Sequence, residues 1–132
     1  MKKVFLLFSH QLTPKQKEEL INNFNVNEFI NLPQELQEVW SNIPSESAHI
    51  KNYLNDLFKW LLKKAKVEDL VLVQGEIGAV YLLVDFCKKN GYIPIYATTK
   101  REVSEEALSA EAIQLNRIFT HVRFRTFEDW VD

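Results

Sequence analysis

The sequence contains little cysteine, glycine and proline. Its 132 residues include one cysteine, three glycines and four prolines. A single cysteine excludes a disulfide framework and any zinc site with several cysteine ligands. So little glycine and proline excludes collagen-like and linker compositions. Because hydrophobic residues make up 46% of the chain, we expect one ordered domain over residues 1–132 that folds without disulfides or metal.

An excess of charge of one sign and a long apolar run are also lacking. The 16 basic and 18 acidic residues give a formal net charge of −2. No global basic field attracts long nucleic acid, so an anion site has to be local. The apolar run at residues 4–8 is too short for a signal peptide or a membrane span, and no small-residue cleavage site follows it. We therefore expect a cytoplasmic protein with no membrane partner.

The hydrophobic pattern predicts strands and helices in alternation. Short apolar runs predict buried strands at residues 4–8, 28–32, 70–73 and 93–97. Apolar positions three and four residues apart predict helices over residues 14–24, 33–41, 49–66 and 79–89. Thr13 and Gln16 have the spacing of a capping box at the start of the first helix. This order predicts an α/β fold, with a Rossmann-like open, mainly parallel sheet flanked by helices.

The C-terminal part carries a different pattern. Residues 102–116 are polar and predict an exposed excursion or a short helix. Residues 117–127 alternate with a period of two, which predicts an antiparallel edge strand or hairpin at the end of the sheet. On this alternation Val122 and Phe124 share one face, and the other is a basic face made of His121, Arg123 and Arg125.

Three predicted strands end in polar or glycine-bearing turns. In open α/β sheets, ligands bind outside the carboxyl ends of the strands, where backbone N–H groups and helix N-termini attract anions. We expect the three turns to meet at one edge and form an anion site. Its candidate residues are Ser9, His10 and Gln11 in the first turn, Gln74, Gly75, Glu76 and Gly78 in the second, and Thr98, Thr99, Lys100 and Arg101 in the third.

The candidates also have plain structural explanations. Ser9 and His10 can belong to a solvated loop, and Lys100 and Arg101 can be surface charges. Gly75 and Gly78 can serve only to allow a tight turn, and Gln74 can be a polar strand cap.

Gly-x-x-Gly is far short of the dinucleotide fingerprint, and no phosphate-binding P-loop motif is present, so we expect no cofactor. The three histidines lack metal-ligand spacing, so we also expect no metal. Cys87 lies on the apolar stripe of a predicted helix and fits a small core residue.

Four segments carry a resemblance to a known family. They are Phe-Leu-Leu-Phe-Ser-His-Gln-Leu at residues 5–12, Leu-Val-Gln-Gly-Glu-Ile-Gly-Ala at 72–79, Ile-Tyr-Ala-Thr-Thr-Lys-Arg at 95–101 and Phe-Thr-His-Val-Arg-Phe-Arg at 119–125. Together they resemble the small stand-alone CRISPR-associated proteins of the Csx type, in the group with a CRISPR-associated Rossmann fold (CARF). The last two segments are the most specific part of the likeness.

The resemblance implies a sensor of cyclic oligoadenylate, the second messenger of type III CRISPR defence, that works as a homodimer. Several relatives are ring nucleases, which cleave cyclic tetra-adenylate without metal and switch the response off. In them a ribose 2′-OH attacks the adjacent phosphorus and leaves a 2′,3′-cyclic phosphate. On this basis Ser9 and His10 orient the reacting groups or move the proton. Lys100 and Arg101 neutralise phosphate charge, and the 74–78 backbone cradles a second phosphate.

Three functions compete at this point. The first is a ring nuclease, and the second is a module that sequesters cyclic oligoadenylate without cutting it. Larger relatives carry an effector ribonuclease with the pattern R-x4-6-H. Arg117 and His121 are one residue too close for it, which disfavours an effector. The third is a phosphoacceptor receiver domain, which needs acidic residues where Ser9, His10 and Gln74 stand and is therefore disfavoured.

Overall fold

The described residues form ten segments of regular structure. The structure, a computed structural model, describes residues 2–107 and 112–131. The strands are β1 (Lys2–Leu7), β2 (Val26–Asn31), β3 (Leu70–Val73), β4 (Ile93–Ala107) and β5 (Ile113–Thr126). The helices are α1 (Pro14–Phe24), α2 (Gln34–Ser41), α3 (Asn55–Lys64) and α4 (Ile77–Lys89), and a 3₁₀ turn at Asn52–Leu54 precedes α3.

All five strands belong to one sheet in the order β2-β1-β3-β4-β5. β1 to β4 pair in parallel, and β5 is antiparallel to β4. The predicted α/β class, the mainly parallel sheet and the antiparallel C-terminal edge are therefore confirmed. The chain moves from β1 outward to β2, then crosses back to β3 on the other side of β1. The direction of winding thus reverses between β1 and β3.

This reversal decides which face each helix covers. Crossovers between parallel strands are right-handed, so a change of direction transfers the connection to the opposite face of the sheet. α1 accordingly packs on one face, where Leu20 joins a core cluster with Val4, Leu72 and Ile95. Helices α2, α3 and α4 cover the other face, with their buried residues against Phe5 and other inward side chains of β1 and β3. No helix within the described residues is long and apolar enough to cross a membrane.

The start of α1 matches its predicted signals. Thr13 caps the helix, its Oγ1 accepting from the Gln16 backbone N–H at 3.2 Å. The Gln16 side-chain oxygen accepts the Thr13 backbone N–H at 2.9 Å, which completes the capping box. Pro14 occupies the first turn, and Asn25 ends the helix in the left-handed conformation at φ 58°. The capping box and Pro14 thus fix the start of α1 just after the loop that follows β1.

The C-terminal prediction was wrong about residues 98–101 and about a short helix at residues 102–116. Residues 98–101 do not form a turn, because β4 continues through them to Ala107. Nor do residues 102–116 form a short helix where they are described, since they belong mainly to β4 and β5; residues 108–111 lie outside the described residues. Backbone pairing from Ile95↔Thr126 to Ala107↔Ile113 stabilises the extended hairpin, and this pairing between distant residues is invisible in local composition.

The predicted faces of β5 were also wrong, because a bulge interrupts the ladder. Thr98 pairs with Arg123 and Thr99 with His121, so Val122 is left without a partner. One extra residue exchanges the faces of a strand on either side of it. As a result His121 is buried, Val122 is half exposed, and the basic face expected from His121, Arg123 and Arg125 does not form as one surface.

His121 and Glu19 join α1 to the edge strand. His121 Nε2 lies 2.6 Å from Glu19 Oε1, and its Nδ1 lies 3.4 Å from Gln16 Nε2. The other Glu19 carboxylate oxygen accepts the Phe124 backbone N–H at 2.7 Å. Lys15 Nζ reaches the His121 carbonyl at 3.4 Å. Side chains of α1 thus occupy hydrogen-bonding groups of the outermost strand, which protects a sheet edge from unwanted pairing.

We expect Glu19→Ala to lower the free energy of unfolding by about 2 kcal/mol, because it leaves the Phe124 N–H and the His121 ring without an acceptor. Urea denaturation followed by circular dichroism measures the change. Glu18→Ala is the matched control, since Glu18 is an exposed neighbour on the same helix, and it should stay within about 0.5 kcal/mol of wild type. Equal losses in the two variants would contradict a specific role for Glu19.

Candidate functional site

The loops that follow β1 and β3 lie side by side at the carboxyl edge of the sheet. The two strands pair in parallel up to Leu7↔Val73, and the Gln74 N–H then donates to the Leu7 carbonyl at 3.0 Å. Beyond that bond the chains separate around a cavity of about 240 Å³, lined by Phe8, Ser9, His10, Gln74 and Gly75. This is the point where the winding direction reverses, the usual ligand position in open α/β sheets.

Side chains of α2 hydrogen-bond to the loop that follows β1, here called the β1 loop. Gln37 Nε2 donates to the Phe8 carbonyl at 3.2 Å and contacts Ser41 Oγ at 3.0 Å. Ser41 Oγ lies 3.0 Å from Ser9 Oγ. Gln37 and Ser41 are four residues apart on the helix and therefore share one side of it. The predicted residue Ser9 is thus oriented by two side chains from another element.

His10 is exposed at the mouth of the cavity. Its ring packs edge-on against the Phe8 ring, with the centroids 5.5 Å apart. No side chain or backbone group within the described residues hydrogen-bonds the imidazole. Both ring nitrogens are therefore available to a ligand, in contrast to those of the buried His121. The third predicted residue of this loop, Gln11, is also exposed.

The β3 loop rests on Trp40 of α2. The Trp40 indole N–H donates to the Gln74 carbonyl at 2.9 Å, and the Gln74 side-chain oxygen accepts the Ala97 N–H of β4 at 2.8 Å. A Cβ atom added at Gly75 would lie 3.0 Å from three atoms of the indole ring. Gln74 therefore acts as the polar strand cap of its plain structural explanation, and Gly75 is required because Trp40 leaves no room for a side chain.

The N-terminus of α4 differs from the predicted phosphate cradle. Glu76 caps this helix, and its Oε1 accepts the Ala79 N–H at 2.7 Å. A carboxylate thus occupies a backbone donor expected for a phosphate, and its negative charge opposes a second anion there. Gly78 lies in the first turn of α4, where an added Cβ would meet the Glu76 carboxylate at 3.1 Å. The β3 loop therefore contributes shape to the cavity more than it contributes anion-binding groups.

The third set of predicted residues lies beyond the sheet edge, within β4. Thr98 Oγ1 donates to the Arg123 carbonyl at 2.9 Å, so this side chain stabilises the hairpin beside the bulge. Thr99 stands opposite His121 and is exposed. Consecutive strand residues face opposite ways. Lys100 therefore lies on the face covered by helices α2 to α4, whereas Arg101 lies on the α1 face, so the two cannot serve one anion together.

The cavity itself offers neutral donors. A hydroxyl from Ser9 and an imidazole from His10 line it, and none of the five lining residues carries a permanent positive charge. The chain's thiol is no substitute nucleophile, because Cys87 is buried in the core and burial raises its pKa to about 12. The described residues contain no group of three or more His, Cys, Asp or Glu side chains that could hold a metal ion. The Ser9 hydroxyl and the His10 imidazole offer hydrogen bonding and proton transfer in this cavity.

Sequence reasoning missed the contribution of α2. Gln37, Trp40 and Ser41 have the spacing i, i+3, i+4, which places them on one side of a helix. The signal was present as two polar residues beside a tryptophan on an amphipathic helix. This pattern does not show what the helix contacts, because only the crossover from β2 to β3 brings α2 against both loops.

We expect Gly75→Ala to destabilise the protein by about 1–3 kcal/mol, since the methyl group has to displace a Trp40 ring that is 2% exposed. Thermal and urea unfolding measure the loss. Gly78→Ala is the matched control, because there the added methyl meets the mobile end of a side chain, and alanine is the better helix residue by about 1 kcal/mol. Gly75→Ala no less stable than Gly78→Ala would contradict the close contact with Trp40.

The comparisons with known proteins identify a family. A family model described as "Uncharacterized protein MJ1673 family" matches residues 2–125. The chain is 45% identical over 130 residues to "Uncharacterized protein MJ1673" of Methanocaldococcus jannaschii, an alignment that covers 98% of this chain and 100% of the relative. No solved structure matches. The described fold and its site at the β1–β3 edge are thus those of a chain that belongs to the MJ1673 family.

Proposed function

We propose that the protein is a metal-independent phosphodiesterase that binds cyclic oligoadenylate, with cyclic tetra-adenylate as the expected ring, and cleaves it to linear products ending in a 2′,3′-cyclic phosphate. The names of the family and of the relative state no activity. The proposal therefore combines the resemblance to CARF ring nucleases with one observation. An exposed histidine with no hydrogen-bond partner within the described residues lies beside Ser9 in a cavity at the reversal point of the sheet.

The reaction asks little of the protein, because the nucleophile belongs to the substrate. The ribose 2′-oxygen forms a bond to the adjacent phosphorus while the bond from phosphorus to the 5′-oxygen breaks. The proton leaves the 2′-hydroxyl and one is gained by the 5′-oxygen. His10 is the cavity side chain whose imidazole can take or give such a proton. Ser9 can hold a phosphate oxygen so that attacking and leaving oxygens are in line.

The size of the cavity supports a site shared by two copies. A volume of about 240 Å³ lies below the roughly 300–1,000 Å³ of pockets that enclose drug-sized ligands. It suits one phosphate with its ribose, whereas a ring of several nucleotides has to extend beyond it. A homodimer whose two cavities face each other would hold opposite parts of the ring. In such a dimer Lys100, on β4 beyond the sheet edge, would approach the ring from the side of α4.

A sequestering protein is the second candidate, and the Glu76 cap favours it. A carboxylate at the α4 N-terminus reduces the stabilisation of a developing negative charge on phosphate, which catalysis needs more than binding does. Incubation with cyclic tetra-adenylate in EDTA separates the two functions. Linear product with a cyclic phosphate end supports the phosphodiesterase, whereas recovery of the intact bound ring supports the sequestering protein.

We expect His10→Ala to lower single-turnover cleavage of cyclic tetra-adenylate by about a hundredfold or more, because it removes the proton-transfer group. Ring binding, measured by titration calorimetry, should stay within about tenfold of wild type. His49→Ala is the matched control, since His49 is exposed and does not line the cavity. Unchanged cleavage by His10→Ala would remove His10 from the mechanism.

We expect Lys100→Ala to weaken ring binding by about tenfold at low salt and by less at high salt, because an ion–phosphate contact near the surface is screened. Arg101→Ala is the matched control on the opposite face of β4, and its effect should be smaller at every salt concentration. Calorimetry at two ionic strengths measures both variants. Equal weakening by the two variants would contradict the assignment of Lys100 to the ligand side.

A further inference from the structure

Helix α2 contacts both loops of the cavity through three side chains. Gln37 and Ser41 hold the β1 loop, and Trp40 donates to the Gln74 carbonyl of the β3 loop at 2.9 Å. Trp40 is 2% exposed and packs in the core, so it fixes the position of the helix relative to both strands. The geometry around Ser9 is therefore set by a rigid element, although Ser9 itself lies in an exposed loop.

The hydrogen atoms of this network can be assigned from chemistry. A carbonyl oxygen only accepts, so the Gln37 side-chain nitrogen has to face the Phe8 carbonyl. The second hydrogen of that nitrogen is then available to Ser41 Oγ at 3.0 Å. Ser41 accepts this bond, and its own hydrogen can then be donated to Ser9 Oγ, 3.0 Å away. With Ser9 as acceptor from Ser41, the remaining Ser9 hydrogen points to another partner.

We infer that Gln37 and Ser41 form a donor relay that makes the Ser9 hydroxyl a hydrogen-bond donor to a phosphate oxygen in the cavity. Each bond in the chain Gln37 to Ser41 to Ser9 polarises the next, which strengthens the last donor. A phosphate oxygen favours this direction of the hydrogen bonds. In the reverse direction Ser9 would donate to Ser41 and turn its oxygen lone pairs toward the phosphate. The relay supplies binding in a cavity whose lining residues carry no permanent positive charge. The inference rests on the proposed function only for the presence of a phosphate in the ligand.

Inorganic phosphate is the probe, and a double-mutant cycle on the full chain is the test. Amide chemical shifts of the Ser9–His10 loop, followed by NMR during titration, give the phosphate affinity of wild type, Ser9→Ala, Ser41→Ala and the double variant. We expect each single variant to weaken phosphate binding by about tenfold, and the double variant to be no weaker than Ser9→Ala. Such coupling is the signature of residues that act as one unit.

Two controls separate the relay from a general effect on folding. Ser41→Thr keeps the hydroxyl and should bind phosphate within about twofold of wild type. Ser47→Ala removes an exposed serine that does not line the cavity and should change nothing. The inference is overturned if Ser41→Ala weakens phosphate binding as much in the Ser9→Ala background as in wild type. It is also overturned if phosphate leaves the loop shifts of wild type unchanged.

The cleavage assay with cyclic tetra-adenylate is run on the same variants, so that the two proposals can fail separately. Coupled loss of phosphate binding without any ring cleavage by wild type supports the relay and removes the proposed enzyme. Ring cleavage that is insensitive to Ser41→Ala, together with additive phosphate losses, supports the enzyme and removes the relay.

Discussion

The parallel pairing of β1 with β3 is the constraint on which the rest of the molecule depends. These two strands are neighbours in the sheet but not in the chain, and partners such as Leu6 and Leu72 are 66 positions apart (72 minus 6). Their pairing forces the reversal of winding that sends α1 to one face and the other helices to the opposite face. It also leaves the two loops diverging from a common hydrogen bond, which opens the cavity.

Helix α2 converts this opening into a shaped site. The Trp40 indole packs against Gly75 and donates to the Gln74 carbonyl, which adds a contact from α2 to those that position the β3 loop relative to the β1 loop. The same eight-residue helix turns Gln37 and Ser41 toward Ser9. The site is therefore built by contacts between three elements, in which Ser41 of α2 lies beside Ser9 and Phe8 packs against His10.

Local signals predicted the parts of the fold that local forces decide. The capping box of Thr13 and Gln16 marked the start of α1 at the right residue, and the apolar run Leu70–Val73 matched β3. Ser9, His10, Gln74 and Gly75 were placed at one edge because strand direction and apolar runs suffice for that argument. The extent of β4 beyond Ala97 and the bulge at Val122 could not be predicted, because both depend on pairing with a distant strand. The Glu76 cap was missed because a glutamate before a helix suits either a cap or a free surface charge.

The capping box of α1 also affects a residue outside that helix. Since the Gln16 oxygen is committed to the Thr13 N–H, its nitrogen must be the atom that faces His121 Nδ1. That ring nitrogen is then an acceptor, so the proton of the neutral imidazole resides on Nε2, where Glu19 receives it. One amide at the beginning of the first helix thus selects the tautomer of a histidine 105 residues later in the chain.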